Sequence, residues 1–406
     1  MDSSKVNRSH TYKKNLNKTV FFKLLEQLGD GCIHLAEDGG VYMFGDPGAD
    51  IHAKITIVDQ KAYQRLLWGG SIGAAEAYVE GLWYADSVTN IVRIFSRNLS
   101  KLDKYENRFG FLSNIFNLFK HRLSANSKSG SRTNIAAHYD LSNDMYRLFL
   151  DPYMQYSSAI FPKIGSSLEE AQEHKMALIC DYLELNEDDH LLEIGTGWGG
   201  LACYAAKHYG CKVTTTTISS AQFTVAEERI TASGLNNKIT LLLEDYRDLQ
   251  GQYSKIVSIE MIEAVGHKFM PAYFKKLDKL LAPGGKLMIQ SITINDQRYD
   301  DYCKSVDFIQ RYIFPGGHLP SVSLICNQVK QQTNMYLDHF ADYRLDYAKT
   351  LKEWRHQFLN HKEEILALGF NEDFIRLWEY YFCYCEGGFR EKVIGLAHIG
   401  IIKNQH

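Results

Sequence analysis

The sequence predicts an α/β fold: a doubly wound, mostly parallel sheet preceded by a smaller α+β domain. The first observation is a short apolar run, 191–194, that stops at a cluster of glycines over 195–200. The second is the helical spacing of apolar residues over 201–208, directly after those glycines. The third is that further short strand-like runs alternate with helical segments as far as residue 292. This alternation is typical of a parallel sheet with crossover helices.

The glycine-rich turn is the most informative stretch. Its order over 193–200 is E-x-G-x-G-x-G-G, so the acidic residue Glu193 lies within the turn. In a dinucleotide-binding fold the acidic residue comes about 20 residues later. Glycine permits the tight turn and allows a ligand to lie against the backbone. The turn resembles the S-adenosylmethionine turn of the class I (Rossmann-like) methyltransferases, which implies a nucleoside-type cofactor on the sheet.

Residues 21–100 predict the small N-terminal α+β domain. Alternation of apolar and polar residues over 33–44 and 53–58 predicts strands, and the first of these runs folds around a Glu-Asp-Gly-Gly turn at 37–40. Helical spacing follows over 63–67, 73–79 and 89–97. None of these segments has the spacing of a catalytic motif, so we expect the chemistry elsewhere.

Two polar, basic stretches flank this domain. Residues 1–20 form a basic tail, which we expect to be a solvated chain. Residues 101–134 form a linker rich in Lys and Arg, with an apolar segment at 109–119 inside it. Five side chains of that segment share one helical face: Phe111, Leu112, Ile115, Phe116 and Phe119. Such an amphipathic helix either packs between the domains or lies in a lipid interface.

Residues 135–406 predict one large domain with a helical cap. Strands are predicted over 190–194, 212–217, 239–243, 255–259 and 286–292. Helices are predicted over 171–182, 221–233 and 270–281 within the sheet region, and over 302–312, 350–368 and 372–397 after it. The order is that of a doubly wound sheet followed by a helical cap.

Composition excludes several classes of protein. With 45% apolar and 23% charged residues, the 406-residue chain is globular, and its net charge of −3 gives no reason to expect a nucleic-acid partner. The eight cysteines include no C-x-x-C pair, so no metal site is predicted. The sequence has no signal-like segment and no apolar run of about 18 residues. We therefore expect a cytoplasmic protein, peripherally associated at most with the inner face of the membrane.

Polar groups follow the first three predicted strands, at the sheet edge where the ligand of a doubly wound fold lies. S-adenosyl-L-methionine requires close backbone approach for its methionine tail, one polar group for the ribose hydroxyls and another for the adenine amine. The predicted cofactor-binding residues are Glu193, Gly195, Gly197, Gly199, Thr217, Ile218, Gln222, Asp245 and Tyr246. Because these groups appear in the required order, we predict S-adenosyl-L-methionine as the cofactor.

Four motifs outside the glycine turn are more specific. They are His-Tyr-Asp-Leu-Ser-Asn at 138–143 with Met-Gln-Tyr-Ser-Ser at 154–158, and the segments 260–266, 311–317 and 384–390. In order and spacing they resemble the cyclopropane-fatty-acid synthase family and its mycolic-acid relatives, over 135–403. The N-terminal domain resembles the first domain of that family more loosely.

The resemblance implies a reaction on an unsaturated acyl chain of a membrane phospholipid. A cis alkene attacks the sulfonium methyl group, a carbocation forms, and loss of a proton closes a cyclopropane ring. Since an alkene is a weak neutral nucleophile, the site must position it and exclude water. In the family a bicarbonate ion is held in the site and proposed as the base, so bicarbonate is a second expected ligand. A homodimer is the remaining expectation about partners.

The resemblance also assigns roles to individual residues. Tyr156 and Ser157 match positions that contact the methionine part of the cofactor. Glu263 matches the active-site glutamate of the family. Ile292 matches a backbone ligand of the bicarbonate, and Tyr347 matches the tyrosine near it.

Three further positions complete the candidate catalytic set. Cys385 matches the C-terminal cysteine of the family. Ser158 stands where the family usually has Cys, and Gln290 where it usually has His. Ser and Gln still hydrogen-bond an oxyanion. The departures nevertheless open a second product branch: if the proton leaves another carbon, the product is a methyl-branched or methylene chain.

Structural and functional alternatives remain at this point. Glu263 is alternatively a carboxylate at a helix start, Tyr347 a packed core phenol, and Cys385 a small buried hydrophobe. The same scaffold also suits an N- or O-methyltransferase for a small soluble molecule, which needs a heteroatom nucleophile and no acyl tunnel. A non-catalytic lipid-binding protein that kept the fold is the third hypothesis.

Overall fold

The computed structural model describes residues 15–102 and 142–405, and each range forms a compact unit. Most of the predicted basic tail, the predicted amphipathic helix at 109–119 and the motif residues 138–141 lie outside the described residues. Among the described residues, no helix has the length and apolar composition needed to cross a membrane.

The first unit is an α+β domain. Its strands are β1 Cys32–Glu37, β2 Gly40–Gly45, β3 His52–Ile57 and β4 Trp83–Ala85, and its helices are Leu16–Leu25, Lys61–Trp68, Gly70–Val79 and Val88–Arg97. The sheet order is β2-β1-β3-β4. Alternation along β3 buries Ala53, Ile55 and Ile57 and exposes the residues between them. These elements include the strands and helices predicted for this part of the chain, but β4 and the helix Leu16–Leu25 were not predicted. That helix takes in residues 16–20, which we expected to belong to the solvated tail.

The second unit is a doubly wound α/β domain with a seven-stranded sheet. Its strands are β5 His190–Ile194, β6 Lys212–Thr216, β7 Ile239–Leu242, β8 Tyr253–Ile259, β9 Leu281–Ile294, β10 Met335–Asp342 and β11 Ile394–Lys403. The order across the sheet is β10-β11-β9-β8-β5-β6-β7. The pairs from β9 to β7 are parallel, whereas β11 runs antiparallel to β9 and to β10.

Helices cover both faces of this sheet. They are Leu168–Tyr182, Gly200–His208, Ser220–Ala232, Met270–Leu280 and Val322–Gln332. Strand β5 shows why both faces must be covered, because Leu191 belongs to the apolar cluster on one side and Leu192 to the cluster on the other. A strand buried on both faces reads as a continuous apolar run, which is how 191–194 reads in the sequence.

A helical cap follows the sheet region. Its helices are Arg344–Asn360, Lys362–Ala367 and Glu372–Arg390, and the short helix Asn143–Arg147 comes from the start of the unit. The core of the cap is aromatic: the rings of Phe358 and Trp378 stack with centroids 5.8 Å apart, and both lie against Phe382. Such rings bury large apolar area at fixed geometry.

The C-terminal strands were missed by the sequence prediction. The helix predicted over 372–397 ends at Arg390, and β11 follows instead of a continued helix. Burial along β11 is continuous from Gly395 to Ile401, and a short, fully buried apolar run has no periodicity that separates strand from helix. The single helix predicted over 302–312 is also wrong. The chain there leaves the helix Asp296–Tyr302 and then forms a separate short π-helix at Ile309–Ile313.

Candidate active site

The glycine turn joins β5 to the helix Gly200–His208. Gly195, Gly197 and Gly199 have φ values of 103°, 52° and 82°, which side-chain-bearing residues rarely adopt. A Cβ added at Gly197 would meet nothing within 4 Å in the described structure, whereas one at Gly199 would lie 3.3 Å from the Ala226 Cβ. The turn therefore leaves its backbone open at Gly197, as a cofactor tail requires.

Glu193 lies beneath this turn. Its side chain is buried and accepts a hydrogen bond from the Thr215 hydroxyl at 2.5 Å. The Thr215 hydroxyl is also 2.7 Å from that of Thr196 in the turn. Burial raises the pKa of Glu193 to about 8, against the opposing effects of the Thr215 hydrogen bond and the Lys175 charge. The structure thus places Glu193 as a buried support of the turn.

The end of β6 carries the second predicted group. The Thr217 hydroxyl donates to the Gln222 side-chain oxygen at 2.9 Å and accepts from the Ser219 backbone N–H at 3.2 Å. Ser219 in turn caps the helix Ser220–Ala232, and Ile218 is half-buried between them. The hydrogen bond fixes the Gln222 amide at the strand end, where we predicted a ribose contact.

The end of β7 carries the third group. Asp245 is buried, and its two carboxylate oxygens accept from Arg247 Nε at 2.7 Å and Nη2 at 2.6 Å. Tyr246 packs edge-on against Tyr273, with ring centroids 5.5 Å apart. Burial raises the pKa of Tyr246 to about 12, so it is a neutral phenol. An adenine amine at Asp245 would share the carboxylate with Arg247.

The loop over 154–158 carries the fourth group. The Tyr156 hydroxyl lies 3.1 Å from that of Tyr381, and the Ser157 hydroxyl accepts from the Lys175 ammonium at 2.8 Å. Lys175 is fully buried, and burial lowers its pKa to about 8 although the charges of Glu260, Asp151 and Glu193 oppose this.

Sequence reasoning missed Lys175. The residue lies on the helix Leu168–Tyr182, one helical turn from the buried Ala171 on one side and from the buried Ile179 on the other. A lysine on the apolar face of an amphipathic helix is the signal that could have found it, because lysine is almost never buried without partners.

Glu260 is the residue on which the candidate catalytic groups converge. Its carboxylate accepts hydrogen bonds from the Ser158 backbone N–H at 2.9 Å, the Gln290 amide at 2.7 Å and the Tyr347 hydroxyl at 2.6 Å. Burial raises its pKa, and these donors and the Lys175 charge act against that rise. The residue has a φ of 48° at the end of β8. Glu260 belongs to the motif 260–266, but no role was predicted for it from the sequence.

Glu263 lies one turn further on, in the short 3₁₀ helix Ile262–Ala264. Its Oε1 accepts from the Ile292 backbone N–H at 2.5 Å and from the Ser291 hydroxyl at 3.1 Å. Its Oε2 is buried and has no hydrogen-bond partner among the described residues. Burial, and then the charge of Glu260, raise the pKa of Glu263 to about 8.

His398 fixes the orientation of the Gln290 amide. The two residues are register partners in β11 and β9, and His398 Nε2 lies 2.7 Å from the Gln290 Oε1. Burial lowers the pKa of His398 to about 3, so the ring is neutral and donates to that oxygen. The Gln290 NH₂ group is therefore turned towards Glu260. This residue was missed because β11 was not predicted: the helix was predicted to continue to residue 397, and no strand was predicted after it.

Cys385 lies on the helix Glu372–Arg390 and is partly buried. Burial raises the pKa of its thiol, so it is neutral at physiological pH. No hydrogen bond within the described structure joins it to Glu260 or Glu263. Its predicted catalytic role therefore has no geometric support beyond its electrostatic proximity to Tyr347.

The predicted cofactor and the predicted bicarbonate differ in how the residues fit them. The open backbone at Gly197 and the polar groups at three strand ends fit S-adenosylmethionine. The expected bicarbonate ligands do not fit an added ion, because each one donates to a glutamate of this chain. We therefore correct the expectation of bicarbonate.

Within residues 15–102 and 142–405, two groups of His and Cys side chains lie close enough to hold a metal ion. They are Cys32 with His34 and His52, and His267 with Cys303 and His318. In the second group a tyrosine hydroxyl, Tyr299, already bridges the two histidines at 2.7 and 2.8 Å. None of these residues was predicted as a metal ligand, and the His318 backbone N–H donates to the Glu263 backbone carbonyl at 2.8 Å.

Comparison with known proteins agrees with this site. A model of the mycolic acid cyclopropane synthetase family matches residues 126–399. The chain belongs to this family. Among similar proteins, the tuberculostearic acid methyltransferase UfaA1 of Mycobacterium tuberculosis H37Rv is 38% identical to this chain over 341 residues. The aligned region is 82% of this chain and 79% of that protein. The cyclopropane-fatty-acyl-phospholipid synthase of Escherichia coli K12 is 36% identical over 374 residues, 90% of this chain and 91% of that one.

A solved structure of this cyclopropane synthase family gives the same result. Mycolic acid cyclopropane synthase CmaA1, complexed with SAH and CTAB, superposes with a TM-score of 0.63 at 29% identity, covering 67% of this chain and 98% of that chain. The protein is thus an S-adenosylmethionine-dependent methyltransferase with the class I fold. The predicted fold, family and cofactor are confirmed.

Proposed function

We propose that this methyltransferase acts on a cis double bond in an unsaturated acyl chain of a membrane phospholipid and closes a cyclopropane ring on it. The names of two relatives, a cyclopropane-fatty-acyl-phospholipid synthase and a tuberculostearic acid methyltransferase, support an acyl substrate. The observation that carries the proposal lies in this chain. It is the carboxylate pair formed after β8 by the half-buried residues Glu260 and Glu263, in which Oε2 of Glu263 is itself buried.

A buried carboxylate pair suits a reaction that creates positive charge on carbon. Burying two carboxylates in an apolar site costs desolvation free energy, which hydrogen-bonded partners must offset. Here their recorded partners are a phenol, an amide, a hydroxyl and backbone N–H groups. Methylation of an alkene gives a carbocation that must lose a proton where water is excluded, and a fixed anion serves both purposes.

Aromatic rings pack around Tyr156 of the loop 154–158 and around Tyr347, the donor to Glu260. The Tyr156 ring lies 5.2 Å from those of Trp354 and Tyr146, and the Tyr347 ring stacks on Phe389 at 4.5 Å. These surfaces suit an acyl chain, and each π face that meets a cation contributes about 0.5–2 kcal/mol. They also exclude the water that would otherwise capture the carbocation.

The cofactor supplies an electrophilic methyl group when bound. The residues of the chain bind and orient the reactants: Gln222 holds the nucleoside side, and the glycine turn holds the methionine end together with Tyr156 and Ser157. The carboxylate pair balances the positive charge that moves onto the acyl chain and accepts the proton that leaves it. Alignment of the alkene is the main contribution, because positioning supplies about 7–11 kcal/mol in well-oriented reactions.

Mass spectrometry of acyl chains from cells that express the protein tests this proposal. The cells receive methionine with a fully deuterated methyl group. Ring closure gives a product that is heavier by one methylene, retains two of the three deuterium atoms and co-elutes with a cyclopropane standard. If no lipid of the cell gains mass relative to cells with the Gly197→Val variant, acyl methylation is wrong.

Methyl transfer without ring closure is the second candidate. Ser158 and Gln290 replace the usual Cys and His, and Glu260 binds both, so the proton acceptor of this chain differs from that of the cyclopropane synthases it resembles. When the proton leaves a carbon of the acyl chain, the product is a methyl-branched alkene that retains all three deuterium atoms. A methylene chain forms when a 1,2-hydride shift first moves the cation to the methylated carbon and the proton then leaves the methyl group. It retains two deuterium atoms but does not co-elute with the cyclopropane standard.

We also propose that the protein works from the cytoplasm at the inner face of the membrane, because its substrate lies in a bilayer. Sedimentation with vesicles tests this directly. The protein is expected to pellet with vesicles of anionic, unsaturated phospholipid. Its recovery in the supernatant with both anionic and neutral vesicles would contradict peripheral attachment.

A further inference from the structure

The donors that the family resemblance assigned to bicarbonate hold a side chain of this protein. The Ser158 backbone, the Gln290 amide and the Tyr347 hydroxyl all donate to the Glu260 carboxylate. A carboxylate presents the same two oxygens and the same charge as one edge of a bicarbonate ion. The site therefore contains a covalently attached anion at the position where an added ion was expected.

We propose that the Glu260 carboxylate is the proton acceptor of the methylation reaction, in place of bicarbonate. The inference rests on the proposed function, since it names the base for the carbocation that acyl methylation creates. It makes a further catalytic residue out of a position that the sequence motif does not single out. It also fits the two departures from the family: Gln290 needs only to donate a hydrogen bond, and residue 158 contributes its backbone N–H while the Ser158 hydroxyl donates to the Ala159 carbonyl.

The backbone at Glu260 supports a positioned carboxylate. Its φ of 48° lies in the left-handed region, which favours glycine. The residue is held there because its backbone N–H donates to the Gln290 carbonyl at 2.8 Å. Strained backbone of this kind persists where the surrounding structure enforces it, and it concentrates at functional sites.

The hydrogen bonds divide the roles of the two glutamates. Oε1 of Glu260 has two donors and Oε2 has one, and the buried Lys175 ammonium adds a favourable charge. Both donors of Glu263 reach its Oε1, and its Oε2 has no partner among the described residues. Since two neighbouring carboxylates do not both ionise readily, the better-donated Glu260 carries the charge and Glu263 is the neutral acid.

The step balances without another reactant. The π electron pair of the alkene forms a bond to the methyl carbon, the sulfur–methyl bond breaks, and its electron pair stays on sulfur. The electron pair of one C–H bond of the transferred methyl group then closes the ring on the cationic carbon. The proton from that bond moves to Oε2 of Glu260, and the resulting carboxylic acid releases it to solvent when the product leaves.

The Glu260→Gly variant provides the sharpest test. Glycine suits a φ of 48°, so the backbone is relaxed while the carboxylate is lost and its donors remain. Turnover on unsaturated phospholipid vesicles in bicarbonate-free buffer is expected to fall at least about 100-fold, with unchanged S-adenosylmethionine affinity by calorimetry. Added bicarbonate is expected to restore at least about tenfold of the loss, because it refills the vacated position.

Glu184→Gly is the matched control. Glu184 has a φ of 53° but is exposed and pairs with Lys286, so its replacement makes the same backbone change outside the site. Its turnover is expected to equal that of the wild type. If Glu260→Gly turns over within about threefold of Glu184→Gly without bicarbonate, the proposal is overturned.

A binding measurement separates this inference from the proposed function. Carbon-13 NMR of labelled bicarbonate needs no substrate. Glu260→Gly is expected to broaden the bicarbonate signal and the wild type is not. Equal binding by both proteins would overturn the inference even if the wild type methylates acyl chains, whereas acyl chains that are never methylated would refute the proposed function alone.

Discussion

The two halves of the active-site edge are built in different ways. In the cofactor half, the predicted polar groups after β6 and β7 have partners close in sequence: Thr217 binds Gln222, and Asp245 binds Arg247. In the carboxylate half, after β8 and β9, Glu260 is held by residues at positions 158, 290 and 347. The polar pairs of the cofactor half form within short stretches of sequence. The carboxylate half forms only when the fold brings together four segments that are distant in sequence.

The difference separates cofactor binding, which this enzyme shares with other doubly wound folds, from proton removal, which is particular to it. A nucleoside cofactor makes the same demands on any doubly wound sheet, so a local turn meets them. In the reaction we propose, the product depends on which anion takes the proton, and the carboxylate half supplies that anion. Substitutions in the first half should therefore change cofactor affinity, and those in the second should change turnover.

The largest effect is expected for Gly197→Val. A β-branched residue is strained at a φ of 52°, and its side chain enters the open space in which the cofactor tail would lie. The Kd for S-adenosylmethionine by calorimetry is expected to rise about 100-fold, from about 1–2 kcal/mol of strain plus lost contacts. Gly234→Val, at a φ of 67° with equally open surroundings, is the control. Equal losses in both variants would show that strain alone is responsible.

Tyr347→Phe probes the carboxylate half. It removes a donor to a charged oxygen, worth about 1.5–3 kcal/mol, so kcat is expected to fall at least about tenfold. The pKa of Glu260 rises further without this donor, so the acid limb of the pH–kcat profile moves to higher pH. Tyr343→Phe, which keeps the ring that packs on His398, should leave kcat unchanged. A rise in cofactor Kd with unchanged kcat would break the division between the halves.

Glu263→Gln tests the charge assignment through stability. The pKa of Glu263 in the folded protein, about 8, lies above its ordinary value of 4.5, so the folded state binds more protons between these values. Its contribution to stability therefore falls as pH rises through this window, by roughly 1 kcal/mol per pH unit, and glutamine removes that slope. The unfolding free energy of the variant relative to the wild type is expected to increase from pH 5 to pH 8. A constant difference would place the charge on Glu263.

The smallest effect is expected for Thr217→Val. Loss of the hydroxyl removes one hydrogen bond that orients the Gln222 amide, worth about 1 kcal/mol. The cofactor Kd should rise about fivefold and kcat at saturating cofactor should not change. Thr224→Val is the comparison variant. Thr224 is exposed on the helix Ser220–Ala232, which also carries Gln222, and its hydroxyl donates to the Ser220 carbonyl. A loss of kcat instead of affinity would link the two halves.

How much the sequence predicts follows the same division. The glycine turn, the sheet from β5 to β9 and the polar groups at its strand ends are encoded in contiguous patterns, and they were predicted; the assignment of those groups to the cofactor stays a prediction. Glu260 and His398 were not, because the first is an acid at a backbone position that favours glycine and the second lies on a strand without alternation. Lys175 was missed because its partners come from a loop and not from its own helix. These residues become meaningful only through long-range packing.

Turnover of the wild-type enzyme on unsaturated phospholipid vesicles, before and after bicarbonate is removed from the buffer, tests the role of Glu260 most directly. Because Glu260 already engages the donors that would hold the ion, we expect the same kcat in both buffers. A kcat that falls on removal of bicarbonate and recovers when it is returned would show that bicarbonate, and not Glu260, accepts the proton.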